Sequence, residues 1–282
     1  MYKPSPKSLG IALLIVGNLA ASLSDVAVKL LDGGISPFQY IFLRQFFSLI
    51  ILIPFWLKLT KSQQSLSNPI LTLARSTLIL FGSGCMMVAV THLPLATANA
   101  IFYAAPLLML PLSIWLLKEK PNKEKAMATI IGFVGVLIVL RPSEFHWAAL
   151  FALGTAVTLA LFNILVRKIP REQTVVTTLM WTTLFSLPIS GILAWVFWMP
   201  IHIEELIWVG VSSALILAYN GLAVIAYKKT EAYHIAIAEY SGLVFVTLFG
   251  IWWFSEVPTV LTLIGILLIV LPLLPVKKLI QR

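Results

Sequence analysis

The run Leu95–Pro121, LATANAIFYAAPLLMLPLSIWLLKEKP, decides how this sequence is read. It stays apolar for about 20 residues, the length of one bilayer span, and closes on Lys118, Glu119 and Lys120. A second copy of the plan occupies Ala232 to Pro258. Sliding the chain by 137 residues lays Trp115 on Trp252, Glu119 on Glu256 and Pro121 on Pro258. The match continues backwards without a gap through Ala89 and Ala226, Gly84 and Gly221, and the LIL runs at Leu78 and Leu215. A weak internal repeat of this kind marks membrane transporters built from duplicated halves.

Composition agrees. Of 282 residues 60% are apolar and 11% charged, with a mean hydropathy of +0.97, which excludes an ordinary water-facing surface. The single cysteine, Cys85, allows no internal disulfide and no Cys-based metal site, and no cofactor motif is present. A net charge of +9 would point to nucleic acid in a soluble domain. Here the positions of the charges report topology, so membrane lipid and a small molecule are the expected partners and nucleic acid is not.

Ten spans are expected: Leu9 to Leu31, Pro37 to Leu57, Ile70 to Val90, Leu95 to Leu117, Ala126 to Leu140, Ala148 to Val166, Val175 to Met199, Leu206 to Tyr227, Tyr233 to Phe254 and Val260 to Leu274. With both termini in the cytoplasm, seventeen of the twenty Lys and Arg fall on or near that side; Arg141 falls outside, and Lys29 and Arg44 lie within spans. That asymmetry is the positive-inside rule. Five spans per half (1–141 and 142–282) is an odd number, so the second half enters the membrane upside down. The fold class is therefore an all-α membrane protein of ten transmembrane helices, two inverted five-helix repeats around a central cavity.

Polar residues inside the spans are the candidate site. Asn18, Ser22, Asp25 and Lys29 follow one helical face at i, i+4, i+7 and i+11. An Asp or Lys at the bilayer centre costs about 2.5–3.5 kcal/mol on insertion scales, so this stripe faces protein or water. Either Asp25 and Lys29 neutralise one another, or the stripe lines a cavity. Arg44, about 10 Å inside the second span, either pairs with Asp25 or binds an anionic group. Asn99 and Tyr103 share a side of the fourth span with Pro106; a Pro there bends a membrane helix where protein or water can satisfy the freed carbonyls. Asn99 is either an interhelical hydrogen bond or cavity lining.

Arg75, near the cytoplasmic end of its span, is expected to snorkel, and Gly132 and Gly135 read as packing. Asn163, Trp181, Tyr219 and Asn220 are the notable polar positions of the sixth, seventh and eighth spans; Tyr219 and Asn220 align with Gly82 and Ser83 in the repeat. Glu239, about 9 Å inside the ninth span, aligns with Phe102, so the fold does not itself require an acid there. Intramembrane carboxylates are by default candidates for proton coupling or for binding a cationic group.

The fourth-span pattern, the GFVGVLIVLRP that follows, and the ninth-span ending WWFSEVP resemble the drug/metabolite transporter superfamily, EamA type. The pattern of Asp25, Lys29 and Arg44 resembles the branch that contains carriers assigned to riboflavin and S-adenosylmethionine uptake. The resemblance implies a bacterial inner-membrane protein with a cavity lined by the first, third, fourth, sixth, eighth and ninth spans. The function expected is a secondary carrier of a small polar metabolite (amino acid, amine or vitamin-like compound) by alternating access, driven by protons or exchange, as monomer or homodimer. No P-loop run is present to hold a nucleotide. The alternatives are a membrane-embedded enzyme, for which His92, His146, His202 and His234 are too scattered, and a structural or sensory membrane protein.

Overall fold

The structure is a computed structural model that describes residues 6–118, 123–140, 145–166, 168–170, 172–229 and 241–270. Among them twelve α-helices follow one another: α1 (Pro6–Lys29), α2 (Pro37–Trp56), α3 (Lys61–Gln64), α4 (Pro69–His92), α5 (Leu95–Phe102), α6 (Ala105–Leu117), α7 (Lys123–Leu140), α8 (Ala148–Val166), α9 (Val175–Val196), α10 (Ile203–Lys229), α11 (Ser241–Phe254) and α12 (Val260–Val270). Six of them (α1, α2, α4, α8, α9 and α10) are long and apolar enough to cross a membrane; the apolar runs 95–109, 129–140, 241–254 and 260–270 are shorter.

Local chemistry sets the boundaries. After α1 the chain turns through Asp32 and Gly33, both with positive φ, a conformation glycine adopts without strain. Ser36 then caps α2 by accepting from the Gln39 N–H at 3.2 Å, with Pro37 at the first helical position, where its missing N–H costs nothing. Asn68 and Pro69 start α4 in the same way. In the polar loop after α2, Thr60 and Gln63, at the T-x-x-Q spacing of a capping box, form that reciprocal pair around α3.

The expected fourth span, Leu95 to Leu117, is broken into α5 and α6 at Tyr103 and Ala104. Pro106 is the reason. It has no N–H for the Phe102 carbonyl one turn back, and its ring would clash there. The chain instead tightens, with Ala104 N–H donating to the Ile101 carbonyl at 2.9 Å before α6 begins.

Helix pairs make up the bundle. α1 packs along α10 and α11, α4 along α8 and α9, α2 along α9, and α7 along α12, while α5 sits against α8 and α11. Small residues let these pairs close, as helices without a water-driven contact require. A Cβ on Gly135 would lie 2.7 Å from the Gly265 carbonyl oxygen, so α7 and α12 touch backbone to backbone. The outer surface is apolar: Trp115, Trp195, Trp252 and Ile70 are each more than three quarters exposed, an arrangement suited to lipid and not to water.

Candidate functional site

The α1 stripe is not turned to lipid; it is sewn to α5 and α11. Asn18 Nδ2 donates to Ser241 Oγ at 3.1 Å, and Ser22 Oγ donates to the Asn18 and Gly242 carbonyls at 2.8 and 3.3 Å. One turn on, Asn99 Nδ2 donates to Asp25 Oδ2 at 2.9 Å. At the end of the helix Lys29 forms an ion pair with Glu256. The carboxylate that neutralises Lys29 is thus Glu256, far along the chain, and not Asp25 one turn away. Tyr103, at the break between α5 and α6, places its hydroxyl against Gly242, where any side chain would collide with it.

The Lys29–Glu256 pair joins three segments. Lys29 Nζ also donates to the Leu93 carbonyl at 2.7 Å and lies 5.3 Å from the centre of the Phe254 ring. Glu256 Oε2 accepts from Leu95 N–H at 2.8 Å, so a carboxylate caps the positive N-terminal end of α5. The pair is 11% and 19% exposed, and both charges have several partners, which burial of an ion pair demands.

Behind the stripe a second layer comes from α2, α4 and α10. Ser212 Oγ is the joint: it lies 2.8 Å from Ser24 Oγ and 3.2 Å from Tyr40 Oη, and the Tyr40 side chain is fully buried. Arg44 Nη1 donates to Ser83 Oγ at 2.6 Å, with Asp25 and Tyr40 within its electrostatic reach. Asp25 therefore carries an amide and a nearby guanidinium. Among the described residues it has no direct ion pair, although the expectation had offered it both Lys29 and Arg44. A half-buried carboxylate in that condition suits a cationic guest.

Other expected positions lie elsewhere. Trp181 Nε1 donates to the Gln64 carbonyl at 2.9 Å and its ring meets Trp56 edge-on, so it ties α9 to the loop at the opposite end of the bundle. Tyr219 packs on Gly17 of α1. Asn220 and Asn163 are half-buried on α10 and α8. Glu239 lies outside the described residues.

Arg75 corrects the reading of its sequence. It does not snorkel: it is 3% exposed, its guanidinium carbon lies 4.2 Å from the centre of the Phe162 ring on α8, and its Nε and Nη1 have no hydrogen-bond partner. Among the described residues these are the buried side-chain nitrogens left unsatisfied, at a cost of about 1–3 kcal/mol for a neutral group and more for a charged one.

A cavity of about 190 Å³ opens beside the Lys29–Glu256 pair, lined by Leu93, Pro94, Thr97, His146, Pro258 and Thr259 among others. It does not include the α1 stripe. Its walls are mostly apolar and it sits between α5, α7 and the start of α12, so the polar convergence of α1, α2, α5 and α11 is the candidate site.

Known proteins share this plan. Over 268 residues the chain is 28% identical to an S-adenosylmethionine uptake transporter of Rickettsia bellii, covering 93% of this chain and 91% of that protein. It is 24% identical over 283 residues to a pseudopaline exporter of Pseudomonas aeruginosa, covering 95% and 96%. A solved crystal structure superposes with a TM-score of 0.62 over 96% of both chains at 19% identity, which shows a common fold. The model of the EamA-like transporter family matches twice, at residues 8–141 and 146–274. With helices long and apolar enough to cross a membrane and a polar seam running between them, the chain belongs to the EamA-like transporter family, and is a multi-pass membrane transporter of small metabolites and not an enzyme.

Proposed function

We propose that the protein carries a metabolite with a cationic centre, a zwitterion such as an amino-acid derivative included, by alternating access. In this reading Asp25, held by Asn99, receives the positive group, and Arg44, held by Ser83, receives a carboxylate. The observation that carries it is an intramembrane carboxylate that has an amide and, among the described residues, no direct cation as partner. S-adenosylmethionine, named for the Rickettsia relative, combines a sulfonium with an amino-acid head and fits this pairing of charges.

Two inverted halves, 1–141 and 142–282, explain how such a site would be exposed to each side in turn. The pairing scheme supports them: α1 lies on α10 as α8 lies on α4, while α2 with α9 and α7 with α12 join equivalent helices. The positive-inside distribution supports a bacterial inner membrane with both termini cytoplasmic, which places the Lys29–Glu256 pair at the outer face, where it closes the path in this state. Glu239 is the candidate for proton coupling.

The test is counterflow in proteoliposomes against a panel of amino acids, amines, riboflavin and S-adenosylmethionine. The expected result is saturable flux of a cation-bearing member, lowered at least tenfold by Asp25→Asn in protein that still folds. Unchanged flux in that variant would remove Asp25 from the site.

A further inference from the structure

The seam between α4 and α8 holds a charge that no described residue answers with an acceptor. Arg75 is buried there with three N–H bonds, on Nε and Nη1, pointing at no acceptor. The Phe162 face at 4.2 Å supplies attraction to the cation but accepts none of those hydrogens. Around it, Thr72 and Ser76 hydroxyls are turned back onto carbonyls of their own helix. Among the described residues the one ion pair is Lys29–Glu256, and Asp25 is held by Asn99.

The repeat sharpens this. At the spacing of 137 residues, Phe162 stands where the first half has Asp25, and Arg75 stands where the second half has Ser212. Ser212 is fully engaged with Ser24 and Tyr40. At the position facing Arg75 the chain has a ring in place of the carboxylate that the other half carries. A guanidinium is the side chain best shaped to hold a carboxylate, and among the described residues none supplies one here.

We propose that Arg75, backed by the Phe162 ring, is a second binding position on the transport path, which takes the carboxylate of the cargo when α4 and α8 draw apart. This rests on the alternating-access reading, in which α4 and α8 belong to different halves and their seam must open. The carboxylate comes from the cargo and not from a lipid phosphate. Leu73, Ala74 and Thr77 present the exposed face of α4, whereas Arg75 and Ser76 are on the buried face. Arg75 lies about 9 Å from the start of its helix, six residues in, while Asp25 lies near the far end of α1. The two therefore serve the cargo at different stages.

The test uses full-length protein in liposomes and two probes, S-adenosylmethionine and its decarboxylated analogue. Arg75→Gln and Arg75→Leu are expected to raise the half-saturation concentration for the carboxylate-bearing probe at least tenfold and to leave that for the analogue within twofold. Equal losses for both probes would mark Arg75 as structural and overturn the proposal. Loss of the effect in vesicles made without anionic lipid would assign the site to a headgroup and overturn it likewise. A separate arm needs no cargo: Arg75→Cys in a Cys85→Ala background should react with a membrane-impermeant anionic thiol reagent applied from one side. Complete protection from both sides would show that the seam never opens and would sink the inference. If the unaltered protein moves no member of the panel while position 75 still labels, it is the proposed cargo class that fails.

Discussion

Two antiparallel seams, α1 on α10 and α4 on α8, occupy equivalent places in the bundle yet settle their polar groups in opposite ways. In the first, Gly17 admits Tyr219 in ordinary contact, and Ser24, Ser212 and Tyr40 satisfy one another. In the second, Gly82 admits Thr158 and Gly154 admits Cys85 more closely still, but Arg75 is left with unused donors over a ring. The same backbone plan thus carries one seam that is closed energetically and one that retains an unmet demand. In the alternating-access reading proposed above, the second seam offers a guest unused N–H donors when it opens, in addition to Asp25 and Arg44.

The comparison can be broken in order of expected effect. Lys29→Met should be the most damaging to stability, by about 3 kcal/mol, since it strands Glu256 in a mostly buried site. Restoring neutrality with Glu256→Met in the same chain should recover most of the loss, read as the melting temperature of detergent-solubilised protein. Ser212→Ala comes next, at about 2 kcal/mol, because it removes the joint that Ser24 and Tyr40 share; a loss near zero would mean that the first seam is not closed by hydrogen bonds.

Gly82→Ala and Gly17→Ala should differ by about 1 kcal/mol. The new methyl at Gly82 would stand 2.5 Å from Thr158 Oγ1 and at Gly17 3.4 Å from Tyr219 Cδ2, so only the first forces a neighbour to move. Arg75→Leu should have an effect no larger than that difference and the opposite sign: a gain of up to about 1 kcal/mol, because a buried guanidinium with unmade bonds is replaced by an apolar group. A clear loss of stability there would show that the second seam depends on the arginine after all.

The sequence made the helices legible because long apolar runs and their caps are local signals. Ala148–Val166 appears as read, and α2, α4 and α9 differ from expectation by a few residues at their ends. The break before Pro106 was foreshadowed by the proline, whose missing N–H leaves the Phe102 carbonyl one turn back without its donor, and the chain tightens at Tyr103 and Ala104. The α1 stripe was readable because periodicity puts Asn18, Ser22, Asp25 and Lys29 on one face. Its partners were not, since Ser241 and Glu256 approach from more than two hundred residues away.

Arg75 was misread for a related reason. Proximity to a helix end favours snorkelling, but only the packing of α8 decides which side of α4 is covered. Ser24, Tyr40 and Ser212 gave no signal at all, because a hydroxyl in a membrane helix usually bonds its own backbone.

The central claim is that α1 separates from the segment following α11 during transport. Spin labels on Asp32→Cys and Val257→Cys, both at exposed positions, in a Cys85→Ala background would read the distance across the Lys29–Glu256 pair in liposomes. The account predicts two distance populations, whose ratio shifts when a substrate shown by counterflow to be transported is added. One narrow population, unmoved by that substrate, would contradict it.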